Sequence, residues 1–223
     1  MAEPDRESEA PVVPASVDHI LLAVHDLQSG IDQFERLTGV RAQVGGTHPG
    51  RGTQNALVSL GGATYLEILA PNPADSAGPR VQAELAPYVT LMPYDWAVRN
   101  EDLEALVQSL GEQGVRAGAI QPGARIRSDG ARLQWRTLGL VAPAHPLVPF
   151  FIQWAPFSPH PATTSPEGCT LRELRFEDPE PDELRRTFDR LGIEARVSRG
   201  PRALMHVRLD CPTGLVEFPA PPR

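Results

Sequence analysis

The chain reads as an α+β protein of curved mixed sheets with helices on their convex side, and two observations predict this. One order of elements, strand–helix–strand–strand–strand, occurs three times along the 223 residues. In its first occurrence the strand-type runs VDHILLAV (17–24) and TYLEILAP (64–71) bracket a helical stretch. Repeated units of this kind can bury an apolar sheet face only beneath their own helices.

The first unit, 16–72, opens on Val17. Alternate residues of 17–24 fall into a mixed set (Val17, His19, Leu21, Ala23) and a more uniform one containing Ile20, Leu22 and Val24. Asp26 stands where an N-cap belongs, Ile31, Phe34 and Leu37 follow at three-residue steps, and Gly39 ends the helix. Strands are expected at about 40–46, 54–60 and 64–70, with GGTHPGRGT (45–53) and Gly61-Gly62 as turns. The second unit, 91–154, starts with LMPYDWAV and has Asn100 as a cap. Leu103, Leu106, Val107 and Leu110 form its helix face, with strands over 115–121, 131–140 and 148–154. The third, 170–223, has LRELRF, Asp178 before a helix with Leu184, Phe188 and Leu191, then strands over 193–199, 203–210 and 214–218. Residues 1–15 read as a disordered acidic, Pro-rich tail, 73–90 as a linker and 155–169 as a Pro/Ser-rich connector.

Composition excludes several classes. The formal charge is -7 with no basic stripe, so nucleic acid is not an expected partner. All 21 basic residues are arginine, which removes lysine-based covalent chemistry. No apolar run approaches a membrane span and no secretory leader is visible, so no membrane partner is expected. The two cysteines, Cys169 and Cys211, form no CxxC and read as ordinary thiols of a cytoplasmic protein, a single disulfide being the alternative. Phosphate-loop, dinucleotide and GxSxG motifs are absent.

The pleat orients the polar residues. With Ile20, Leu22 and Val24 turned to the helix, His19 faces the other way. Thr64, Leu66 and Ile68 likewise turn to the helix, leaving Tyr65, Glu67 and Leu69 on the face of His19. An imidazole and a carboxylate converging from two strands suit a divalent metal. In the loop ahead of the second hairpin, Arg51 can clamp a carboxylate or phosphate and His48 can donate a proton. Asn55 and Tyr65 are candidate ligand contacts.

VDHILLAVHDL, GGTHPGRGTQNALVSLG and TYLEILAP resemble the glyoxalase-like branch of the vicinal oxygen chelate superfamily, closely over 17–72. The resemblance implies βαβββ modules paired into a cup, which in many members holds Fe, Mn, Zn, Ni or Mg through ligands on the first and last strands of each module. It implies a metal-dependent lyase, isomerase or dioxygenase acting on a small oxygenated molecule; the alternative is a non-catalytic protein that binds a small molecule or antibiotic. His19 and Glu67 match the first module's ligand positions. Aligning Val98 with Val24 puts Pro93 and Gln153 at the matching positions of the second unit, and in the third unit Leu171 and Glu217 fall there. The expected metal set is His19, Glu67 and Glu217, with Glu67 also the catalytic carboxylate, Gln153 a substrate contact, and His145, His160 and His206 as replacement ligands. An odd number of units suggests a homodimer, or a third unit acting as a cover.

Overall fold

The computed structural model describes residues 13–14, 16–126, 130, 132–141 and 145–219. Most of the expected tail, residues 1–12 and 15, lies outside the described residues.

The first unit comprises β1 (Val17–Ala23), α1 (Leu27–Thr38), β2 (Gln43–His48), β3 (Thr53–Ser59) and β4 (Tyr65–Pro71). Asp26 caps α1 by accepting from the Ser29 N–H, and Gly39 ends it at φ 77°, a left-handed value that glycine adopts without strain. The linker contains an unexpected helix, α2 (Gly78–Leu85), which opens with Pro79 and buries Val81 and Leu85 four residues apart. The second unit comprises β5 (Met92–Arg99), α3 (Leu103–Glu112), β6 (Gln121–Ile126), β7 (Arg132–Leu138) and β8 (Phe150–Trp154). Asp102 caps α3, not Asn100, whose side chain accepts from the Asp102 N–H instead. The strand expected over 115–121 is displaced to β6; the preceding segment makes only the isolated bridge Ala117–Leu140.

These two units form one eight-stranded sheet in the order β2-β3-β4-β1-β5-β8-β7-β6. β1 lies parallel to β4 and antiparallel to β5, so the seam between the units runs through β1 and β5. The sheet curls far enough for its edge strands β2 and β6 to approach each other, which makes a cup. Its convex face carries Ile20, Leu22, Leu66, Ile68, Trp96, Val98 and Phe151 into one hydrophobic core.

The third unit comprises β9 (Thr170–Asp178), α4 (Pro181–Arg190), β10 (Arg196–Arg199), β11 (Leu204–Cys211) and β12 (Gly214–Phe218). The order of elements recurs, but the strand pairing does not. Its sheet runs β10-β9-β11-β12, with β10 directly beside β9 in parallel, whereas the strand after α1 sits three places from β1. The short crossover through α4 returns its strand next to the one it left. This sheet turns Phe176 and Phe218 into the common core, where Trp96 meets Phe176 at 5.2 Å and Phe34 stacks on Phe218 at 6.1 Å. It therefore covers the convex side of the cup. Its other face pairs Glu173, Glu177 and Glu217 with Arg175, Arg208 and His206. Cys169 and Cys211 are disulfide-bonded, joining the start of β9 to the end of β11, which corrects the reading of ordinary thiols. Among the described residues no helix is long and apolar enough to cross a membrane.

Candidate active site

The concave face encloses a cavity of about 330 Å³, within the size range of small-molecule sites. Trp135 from β7 and Phe150 and Trp154 from β8 make its apolar wall, and the polar residues come chiefly from the first unit.

His19 is buried on β1 and stacks on Tyr65 with ring centroids 4.6 Å apart. Its Nδ1 is 2.8 Å from Asp18 Oδ1, and its Nε2 is 4.0 Å from Glu67 Oε2. On the other side of Glu67, His48 Nε2 stands 4.0 Å from Oε1. Asn55 Nδ2 donates to Glu67 Oε1 at 3.0 Å, and Asn55 Oδ1 accepts from Arg125 Nη1 at 3.2 Å. Burial holds His48 below the usual imidazole range, despite the Glu67 carboxylate beside it. Burial also raises the Tyr65 phenol well above its ordinary value. Arg51, on the exposed turn between β2 and β3, borders the same cavity.

Asp18 is fully buried and anchors the back of the site. Besides His19, it accepts from Arg99 Nε at 3.0 Å, Trp154 Nε1 at 3.1 Å and His160 Nε2 at 3.1 Å. Burial alone would raise its pKa, but the bonds from His160 and His19 outweigh that and hold the carboxyl well below the usual range. The connector thus reaches the site through His160, which packs edge-on against Tyr65 and Trp154.

Two charged residues that the sequence reading missed line the cavity. Arg125 sits on β6, in a Gly/Pro-containing run without an alternating pattern. Its guanidinium reaches across the gap between the sheet edges into the space a side chain at Gly45 would fill, since a Cβ there would lie 2.2 Å from Nη1. Asp95 on β5 is the other. Burial pushes its carboxyl up to about 6, with its neighbour's Trp96 N–H and the His19 imidazole working the other way. Asp95 matches His19 when the units are aligned on their helix caps, Asp26 with Asp102, because three residues separate strand and helix in each. The ladder agrees: His19 pairs with Ala97 and Leu21 with Asp95, as a two-fold relation requires. Leu21 faces Glu67 and Ala97 faces Phe150, so Phe150 is the counterpart of Glu67.

This placement corrects two expectations. Gln153 is not in the cup: it lies on the convex side, accepting from Arg136 and donating to the Glu101 carbonyl, because the cap alignment displaces the pairing from the one based on Val24. Glu217 lies on β12 in the other sheet, bonded by Arg175 at 3.0 Å, because the first unit pairs with the second and not the third. His145 and His206 are likewise elsewhere, bonded to Asp178 and Glu217. Among the described residues, no three His, Cys, Asp or Glu side chains converge closely enough to share a metal ion. His19 and Glu67 make a donor pair, but Phe150 offers no donor, and the expected third ligand is absent from the cup. The donor set does not fit a resident metal.

A curled eight-stranded sheet built from two βαβββ units, with a cavity on its concave side, defines a cup of the paired-module class. The model of the glyoxalase-like domain matches residues 17–192, and the chain belongs to that family, within the vicinal oxygen chelate superfamily. No curated protein matches the chain. Among solved structures, a hypothetical protein from Staphylococcus aureus is 15% identical, covers 91% of this chain and 84% of its own, and superposes with a TM-score of 0.61, which shows a shared fold. Methylmalonyl-CoA epimerase from Streptomyces coelicolor, solved with 2-nitronate-propionyl-CoA, is 23% identical over 66% of this chain and 99% of its own, at a TM-score of 0.47. The Mycobacterium tuberculosis epimerase is 23% identical over 68% and 95%, at 0.43.

Proposed function

We propose that the cup is an enzyme active site that moves a proton on a small oxygenated molecule, as an isomerase or lyase acting beside a carbonyl group. One observation carries the reading: Glu67 and Asp95 stand in register on either side of Leu21, and both border the cavity. Two strand spacings put their backbones roughly 10 Å apart, enough for one substrate carbon to lie between the carboxyl groups.

Their environments differ in the way acid and base require. Asn55 occupies Oε1 of Glu67 and leaves Oε2 toward His19 and the cavity, so Oε2 is the oxygen that takes a proton from the substrate carbon. Asp95, pushed up to about 6, holds its proton closer to neutrality than an ordinary carboxyl and returns one from the opposite side. Asp18 fixes the His19 ring by its Nδ1, as a buried carboxylate orients an imidazole in other proton-transfer sites. Arg51 and Arg125 supply positive charge toward the oxygen on which the enolate develops. The aromatic wall excludes water and seats the carbon skeleton.

The test is solvent exchange. The protein is incubated in D₂O with a panel of 2-oxo acids, hydroxyketones and acyl thioesters, and α-deuteration is followed by NMR. Exchange above the buffer rate that Glu67→Gln abolishes supports the reading. The second reading, ligand binding without chemistry, rests on the tryptophan-lined wall. It is favoured if a panel member quenches tryptophan fluorescence equally in both proteins while neither catalyses exchange.

A further inference from the structure

We propose that this cup works without a resident metal ion, because Phe150 occupies the place from which a metal donor would have to come. The inference holds whether the cup catalyses or only binds, so its failure and that of the proposed function are separate results.

The two-fold relation between the units supplies four comparable positions at the cup floor, His19 and Glu67 from the first unit, Asp95 and Phe150 from the second. A catalytic zinc ion takes three protein donors and keeps a fourth position for water or substrate, so with a carbon side chain at one of the four positions His19, Glu67 and Asp95 would all have to converge on it. Phe150 contributes none. Its ring instead lies edge-on to the His19 imidazole with centroids 5.5 Å apart, filling with carbon the side from which a fourth ligand would approach. The remaining three do not converge: among the described residues no three His, Cys, Asp or Glu side chains stand close enough to hold one ion. Oε1 of Glu67 accepts from Asn55, and Oδ1 of Asp95 accepts from the adjacent Trp96 N–H at 2.8 Å. Among the described residues no replacement is within reach: His145, His160 and His206 are bonded to Asp178, Asp18 and Glu217. His48 has its Nδ1 on the Thr53 hydroxyl at 2.8 Å and its Nε2 on the Asn55 amide at 3.3 Å. The bond from Asp18 to His19 would suit a ligand as well as a base, so it does not decide the matter.

The experiment is a metal titration, which needs no substrate. Chelator-treated, desalted full-length protein is titrated with Co²⁺, read by its visible d–d absorption, and with Zn²⁺ by calorimetry. The wild type is expected to show no saturable uptake. Phe150→Glu, which restores a carboxylate at the position matching Glu67, is expected to gain affinity of at least about tenfold, taking up one equivalent. Adding His19→Ala should remove that gain. One equivalent of tightly held metal on the wild type, lost on His19→Ala or Glu67→Ala, would overturn the proposal. A folded Phe150→Glu protein with no gain would overturn the role given to Phe150. If that variant does not fold, Phe150→His takes its place, and the wild-type titration decides the metal question by itself.

Discussion

Replacing Asp18 by asparagine takes one charge from a fully buried site that four donors share. Asparagine keeps a single acceptor oxygen and turns an N–H₂ toward the other donors. Either His19 or the group of Arg99, Trp154 and His160 then loses its partner. Breaking a buried ion pair costs about 3–5 kcal/mol, and the Arg99 side chain is 29% exposed, so water recovers part of that. A loss of about 3 kcal/mol corresponds to a fall in Tm of roughly 6–12 °C for a chain of this size. The pH dependence gives the sharper test. Because the folded-state pKa of Asp18 is depressed, its stabilisation is complete above the unfolded carboxylate value and disappears as pH falls through the folded one. The gap in Tm between wild type and Asp18→Asn should therefore hold from neutrality to about pH 4 and narrow below it. Asp75 and Glu104 are also held low, but they are present in both proteins and cancel in the difference. Thermal melts by circular dichroism across this range make the measurement. A gap that stays constant or widens on acidification would refute the assignment of Asp18 as the charged anchor.

Other expectations concern separate parts of the molecule. Gly45→Ala places a methyl 2.2 Å from Arg125 Nη1 and 2.4 Å from Asn55 Oδ1, so the bond between them should break at a cost of about 1–3 kcal/mol, read from denaturant melts. Glu217→Gln should weaken the four-stranded sheet, which loses the negative charge that Arg175 and His206 face, while leaving ligand-induced quenching of the cup tryptophans unchanged. Reduction, or Cys169→Ser, opens a loop closed over a sequence separation of 42 residues and should cost about 4 kcal/mol on the chain-entropy scale, seen as a lower Tm. If Asp95 donates a proton, the step that needs it should slow as pH rises through about 6, since its acid form is lost there; a rate flat across that range in a pH profile would exclude this role.

Much of the cup was legible because its signals are local. The Asp26 cap, Gly39 and the alternation of 17–24 locate β1 and α1, and the pleat alone turns His19 and Glu67 to the same face. The second half was misread through its anchor. Val24 and Val98 look alike as strand residues, but Val24 follows β1 while Val98 lies inside β5, and only the caps Asp26 and Asp102 preserve the geometry. That displacement hid Asp95 and sent Gln153 into the cup. Arg125 carries no periodic signal because its role depends on the sheet closing, a contact between strands far apart in sequence. The pairing of the third unit and its disulfide are decided by tertiary packing, for which element order and cysteine count are insufficient.

The proposed chemistry requires Glu67 and Asp95 to act from opposite sides of one carbon. The direct measurement uses any chiral α-substituted member of the panel that the wild type both deuterates and inverts. Asp95→Asn should then exchange the α-proton without inverting the centre, and Glu67→Gln should do neither. Exchange and inversion retained together in both variants would contradict the account.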